Sequence, residues 1–359
     1  HAVTVALVFL IVATLTRRIV PALFAAFALA GNYLFFLYSV TPEVFALFDF
    51  FVVLLLFLLM RLYQTKKIQY LYAASFVFGL SLSHHHVILF LVPAMAYGLW
   101  THGKSQKYTV KSTQVKKNFV LCTVYFLLGL LPYLYIPIAA RGSSIINWDR
   151  AVDLSCFIRL GTRADYGTFV SGGFYGSELA HRFISLKAYA QFLLLDFSWI
   201  GLILVLLGLV ALIRFHRTLF WFLTLALLFL GPFFFFYASF PLINRFTVGT
   251  YERFLLPSYV IISILMGMGV SQAIEWLVRS PFAGGPLKKI AVIGFVGLLF
   301  LLPLSRAYST VWRFWGLPAD NTAQHLGIDM LTSLPDNSIL FLTQDTPLFA
   351  AQYVRYALG

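Results

Sequence analysis

The chain has 359 residues, of which 60% are hydrophobic and 11% charged, whereas an ordinary water-soluble domain carries roughly 25% charged residues. With a mean hydropathy of +0.86, water is not its main solvent, and soluble or disordered readings fall away. The apolar runs are continuous rather than every-other-residue, which also excludes an outer-membrane barrel.

Taken in chain order, apolar runs predict ten membrane spans, at roughly residues 2–16, 19–40, 43–62, 68–84, 86–100, 118–139, 188–213, 218–240, 255–277 and 290–304. A bilayer core about 30 Å thick needs about 20 apolar residues per helix, and these runs approach or reach that length. The expected fold is an all-α polytopic bundle over residues 1–304, with a long loop at 141–187. A further segment, 305–359, reads as the start of a small α/β soluble domain. It holds a helix candidate at 321–333, a Leu334-Pro335-Asp336-Asn337 turn and a strand-like stretch at 338–343. His1 runs straight into the first span without a charged leader or cleavage-like stretch, so an upstream part is expected to be missing rather than a signal peptide present.

Charge sorts the connectors. Fifteen of the 26 Lys and Arg residues fall in residues 17–18, 61–67, 104–117, 214–217 and 279–289, with only Glu275 nearby to offset them. The alternate connectors hold the other eleven cations together with ten of the 13 acidic residues, leaving Asp49 and Asp196 inside spans. Positive charge on every second connector predicts that this set is cytoplasmic and that the 141–187 loop and the tail are external. The net charge of +13 therefore reads as orientation, not nucleic-acid binding. Cys122, in a span, and Cys156, in a polar loop, are expected at different depths and imply neither a disulfide framework nor a thiolate metal site.

Ionisable groups in or beside spans are costly, so each asks for a reason. Glu43 follows Thr41-Pro42 at an outer helix end, with Asp49 six residues further in. Glu43 reads equally as a reactive carboxylate or as a helix N-terminal charge favoured by the dipole. Asp49 and Asp196 are expected to face the bundle interior on either reading. His84-His85-His86 falls between two spans; three adjacent residues point in different directions and cannot all ligate one metal as an i, i+4 pair can. A phosphate contact and a simple interfacial cap both fit these histidines. In the external loop, Trp148 and Tyr166 are of the type that settles at an interface. Arg159 and Arg163, four apart, could grip a phosphate from one helix face or pair with Asp149 or Asp165. Arg253 enters the outer end of another span. No Walker loop, Rossmann glycine pattern, zinc-type HExxH or GxSxG elbow is found.

Several of these segments resemble one family in the same order. Residues 39–47, Ser-Val-Thr-Pro-Glu-Val-Phe-Ala-Leu, are similar to its "aEvYaLn" stretch, and Gly79-Leu80 through His85-His86 to Pro93 to its "GLaltnHh…P" stretch. Tyr133-Leu134-Tyr135-Ile136-Pro137-Ile138 followed by Ile146-Asn147-Trp148 resembles "YLyLPir…inW", Arg163 to Gly167 resembles "R..YG", and Pro335 to Phe341 with Asp345 and Tyr353 resembles "lp.naiif…D…Y". This is the family of bacterial multi-pass proteins related to the eukaryotic transmembrane protein 260 O-mannosyltransferases (domain of unknown function 2723), among the membrane glycosyltransferases of type C (GT-C) fold. Ala139 departs from it, standing where the family often has arginine, although Arg141 follows two residues on.

The resemblance implies a GT-C-like helix bundle that transfers a mannose-like sugar from a polyprenyl-phosphate donor to a protein or glycan acceptor at the external membrane face. The membrane is expected to be a bacterial inner (plasma) membrane. Glycosyl transfer needs a carboxylate to deprotonate or orient an acceptor hydroxyl, and cations or donors to stabilise the departing lipid phosphate. The expected catalytic residues are Glu43 and His85; the expected substrate-binding residues are His86, Asn147, Trp148, Arg163, Tyr166 and Arg253. The family's usual external-loop aspartate and "HPPGYPLy" stretch are not in the sequence, and the main catalytic aspartate is expected in a missing N-terminal loop, which would leave this fragment inactive. The expected partners are membrane lipids, the lipid-linked sugar and the acceptor; the need for a divalent metal is left open. Rival readings are a transporter or lipid flippase, which would show repeats and mid-membrane charges on broken helices, a surface polysaccharide ligase or polymerase, and a non-catalytic scaffold.

Overall fold

The structure, a computed structural model, describes residues 1–106, 112–142, 150–162, 164, 179–240, 242–279, 285–343 and 345–358. Those residues form two compact units, His1–Ala307 and Tyr308–Gly359.

The first unit is helical throughout its regular structure. It begins with α1 (Ala2–Thr16), α2 (Ile19–Ala30) and α3 (Tyr33–Val40). The α2–α3 pair bends by 64°, because Asn32 is extended and its side chain accepts the Phe35 N–H at 3.1 Å, which opens a new helix. Thr41 is also extended, as a residue before proline must be, so Pro42 separates α3 from α4 (Phe45–Thr65). α4 closes on Lys66 in the left-handed region at φ 58°. α5 (Gln69–His84) leads through a tight 3₁₀ stretch, His86–Leu91, into α6 (Val92–Gln106). Next come α7 (Ser112–Gly129), α8 (Pro132–Ala140) and the short α9 (Leu154–Gly161). The long α10 (Leu179–Phe215) breaks at Ser198, whose φ is 60°. α11 (Arg217–Leu228) continues through a π-turn at Gly231-Pro232 into α12 (Phe234–Ala238). The set is completed by α13 (Arg245–Glu252), α14 (Leu256–Arg279) and α15 (Gly285–Phe314).

α14 is the axis of this unit. Nearly all of its residues from Leu256 to Ile274 are buried, against α10, α2, α1, α4 and α11. In lipid the helices gain little from the hydrophobic effect against one another, so close van der Waals fit carries the association. α10 and α14 achieve that fit through facing glycines, since a Cβ on Gly208 would meet the Leu265 carbonyl oxygen and one on Gly269 the Leu204 carbonyl oxygen. α7, by contrast, leaves Phe119, Val120, Leu127 and Leu134 of its continuation exposed, as a lipid-facing helix must.

All ten predicted apolar runs fall on helices. Six helical stretches are long and apolar enough to cross a membrane, and the bent α2–α3 pair makes a seventh. α1, α5 and α6 are shorter, at 15, 16 and 15 residues. The last apolar run is longer than its hydropathy indicated, since α15 continues to Phe314.

The second unit pairs α16 (Thr322–Thr332) with α17 (Asp345–Tyr353). The predicted helix and turn are present, with Asn337 at φ 63°. The expected strand at 338–343 is not: those residues have no regular structure, and no strand occurs among the described residues. A strand needs a second extended segment to satisfy its N–H and C=O groups, and the neighbours here are helices. The α/β character expected of this unit is therefore corrected to helical for the residues described.

Candidate functional site

Contacts between distant segments place one set of helix ends together. The Thr41-Pro42 break delivers Glu43 just ahead of α4, and the 3₁₀ turn Arg253–Leu255 between α13 and α14 delivers Arg253. Arg253 Nη1 donates to Glu43 Oε1 at 2.8 Å, Nη2 donates to Thr250 Oγ1 at 3.3 Å, and the guanidinium lies 5.7 Å from the centre of the Phe45 ring. The buried Arg253 Nε has no hydrogen-bond partner among the described residues. Beside this pair the Tyr38 hydroxyl is shared between the Gly249 carbonyl at 3.1 Å and Glu252 Oε1 at 3.3 Å.

The three histidines diverge, as their adjacency predicts. His84 Nε2 donates to the Val44 carbonyl at 2.9 Å, one residue from Glu43. His85 leaves the helix in an extended conformation (φ −149°), is buried, and accepts the Val87 N–H on Nδ1 at 3.3 Å. Its ring packs among Phe48, Phe45 and Phe254, at centroid distances of 4.8, 5.5 and 6.0 Å. His86 Nε2 lies 3.1 Å from the Tyr133 hydroxyl, which donates to the Leu82 carbonyl at 3.2 Å. Phe157 of α9 meets Tyr133 edge-on, so the short helix of the 141–187 loop reaches the same end. Glu43, His85 and Arg253 thus share one aromatic cluster around Phe45, while His86 sits on its α8 side.

Asn147, Trp148, Arg163 and Tyr166 lie outside the described residues. Asp49 is fully buried, and its Oδ2 lies 3.0 Å from His1 Nε2, whose Nδ1 is 2.6 Å from Ser39 Oγ. Asp196 accepts a short hydrogen bond from the Tyr259 hydroxyl of α14. Both aspartates therefore face the interior, as expected. Among the described residues no group of three or more His, Cys, Asp or Glu side chains is placed to hold a metal ion. Neither Cys122 nor Cys156 forms a disulfide among the described residues.

Sequence reasoning missed Tyr38, Thr250 and Glu252 as members of this cluster. Glu252 was visible as the neighbour of Arg253, and Tyr38 as the last aromatic before the Thr41-Pro42 break. A cleft of about 330 Å³ opens beside them, lined by Leu242, Ile243, Asn244, Arg245, Val248, Gly249 and Glu252.

Long apolar helices around a buried axis, with a carboxylate, a guanidinium and imidazoles gathered at one set of ends, define a multi-pass membrane protein with a polar site at its helix termini. Comparison with known proteins narrows the class. Residues 1–109 match the family described as the N-terminal domain of the protein O-mannosyl-transferase TMEM260. The Dictyostelium discoideum protein O-mannosyl-transferase tmem260 is 29% identical over 286 residues, covering 73% of this chain and 34% of that protein. The mouse protein O-mannosyl-transferase TMEM260 is 24% identical over 376 aligned positions, covering 100% of this chain and 50% of that protein. The chain is similar to these transmembrane protein 260 proteins, and it spans half or less of the length of the two curated relatives. No solved structure matches it.

Proposed function

We propose that this chain is part of a membrane glycosyltransferase that moves a mannose-like sugar from a polyprenyl-phosphate donor to a protein acceptor at the external membrane face. The observation that carries the reading is the Glu43–Arg253 pair, which shares the Phe45 ring with His85, in a chain that is similar over its length to a protein named as an O-mannosyl-transferase. In this reading all ten apolar runs cross the bilayer, α1, α5 and the 3₁₀–α6 stretch included, and the site faces away from the basic connectors. A glycan acceptor and a bacterial plasma membrane belong to the same proposal.

The residues divide the work by chemistry. Glu43 fixes Arg253, whose charge stabilises the developing phosphate; the buried His85 packs on the same Phe45 ring that the Arg253 guanidinium faces. Asn147, Trp148, Arg163 and Tyr166 of the external loop complete the donor contact, together with His86. The test uses the full-length parent protein, purified in detergent, with radiolabelled polyprenyl-phosphate mannose or glucose. Glu43→Gln is expected to keep the thermal midpoint while lowering sugar consumption by about tenfold or more. Consumption unchanged by this substitution would return Glu43 to a helix-end role.

One observation favours a second reading. Asp196 lies two residues from the break in α10 at Ser198 and is bonded by Tyr259 of α14, and broken helices beside an intramembrane carboxylate are a transporter feature. Donor-independent movement of a lipid or solute across a vesicle membrane, with no sugar consumed, would establish that reading instead.

A further inference from the structure

The cleft beside the ion pair carries an inference that rests on the transferase reading and extends it. Two carboxylates stand at this end of the bundle, and their surroundings differ. Glu43 is neutralised by Arg253 at 2.8 Å. Glu252 has no ion-pair partner among the described residues; one of its oxygens is fixed by the Tyr38 hydroxyl, and its side chain lines the open cleft.

The cleft's lining restricts what can enter it. The cleft is a shallow hollow open to its surroundings, so an entering group keeps one side outside it, and Leu242, Ile243 and Val248 make much of its wall apolar. The Asn244 side chain is committed to the capping box of α13, accepting the Thr247 N–H at 2.9 Å. Gly249 has nothing within 4 Å of where a Cβ would stand, so the lining is open at its middle. Arg245 opposes a cationic ligand and the Glu252 carboxylate opposes an anionic one. What remains suited is a neutral group that donates a hydrogen bond from an otherwise apolar surrounding.

We propose that the Leu242–Glu252 cleft is the acceptor subsite, receiving a short peptide segment whose serine or threonine hydroxyl donates a hydrogen bond to Glu252 while Tyr38 holds that carboxylate in place. A charge-assisted hydrogen bond of this kind is stronger than a neutral one and serves both to select the hydroxyl and to orient its oxygen.

The experiment measures equilibrium binding of fluorescent peptides to the detergent-purified protein, using three peptides identical except for threonine, alanine or lysine at one position. The wild type is expected to bind the threonine peptide about tenfold more tightly than the alanine peptide, the ratio one lost charge-assisted hydrogen bond gives. Glu252→Gln should remove most of that preference and Tyr38→Phe part of it. Thermal midpoints in detergent close to the wild type's report that both variants fold. Equal binding of the threonine and alanine peptides by the wild type, or a preference for lysine, would overturn the acceptor subsite. A threonine preference lost in Glu252→Gln, without any sugar transfer by the full-length parent protein, would leave the subsite standing and sink the transferase reading.

Discussion

Arg253 reaches Glu43 across 210 positions of sequence, and their contact closes α14, the buried axis of the bundle, onto the entrance of α4. The two side chains are 25% and 29% exposed, so the pair is partly shielded from water without being desolvated. A double-mutant cycle of Glu43→Gln and Arg253→Met, read by thermal unfolding in detergent, should give a coupling of about 1 kcal/mol, at the upper end for partly exposed pairs. A coupling near zero would mean that the pair orients charge without stabilising the fold.

The contrast between what spacing revealed and what it hid is physical. Lipid forces backbone groups to be satisfied within each span, so apolar length reports helices directly, and every run from residue 2 to residue 304 lies on one. Pairing across the bundle has no such signal, because nothing in the 39–47 segment specifies Arg253 as a partner for Glu43. The breaks were hidden for a related reason. Asn32 carried a readable cap, but Ser198 and Gly231 interrupt apolar runs whose hydropathy is undisturbed. The tail misled in the opposite direction: Ile339-Leu340-Phe341-Leu342 is a short apolar run bounded by Ser338 and Thr343, as a strand can be, yet no second extended segment among the described residues pairs with it.

The approach of α10 to α14 makes a sharp steric prediction. A methyl group at Gly208 or Gly269 would meet a main-chain carbonyl oxygen rather than a flexible side chain, so relief requires the helices to separate. Gly208→Ala and Gly269→Ala should each destabilise by about 1–3 kcal/mol, the usual range for overpacking. Gly294→Ala in α15, where no atom lies within 4 Å of the new Cβ, should be neutral or mildly stabilising. Chemical denaturation in mixed micelles compares the three, and equal tolerance at all three positions would contradict the close crossing.

The short helix α9 offers a pH test. Asp153 caps α9 by accepting the Cys156 N–H at 2.8 Å, and that backbone hydrogen bond holds its carboxyl below the ordinary 3.8. A carboxyl with a depressed folded value stabilises its helix fully above the unfolded value and loses that contribution as pH falls through the folded one. Amide exchange in α9 should therefore be flat from neutral pH down to about pH 4 and rise below it, once corrected for the intrinsic pH dependence of exchange. Asp153→Ala should raise exchange at neutral pH and abolish the acid step; an unchanged step in that variant would assign it to another group.

Asp196 and Tyr259 provide the deepest test of the bundle. The Tyr259 ring is fully buried and packs edge-on against Phe197, while its hydroxyl serves Asp196 at the α10 break. Removing only the hydroxyl keeps the ring's packing but withdraws the donor from a carboxylate in an apolar setting. The cost of leaving a buried polar group unserved is about 1–3 kcal/mol. Tyr259→Phe should therefore lower the unfolding midpoint, while the double variant Tyr259→Phe with Asp196→Leu should recover much of the loss, since an apolar pair leaves nothing unsatisfied. If the double variant is instead worse than either single one, Asp196 is held by groups other than Tyr259, and the α10 break depends on them.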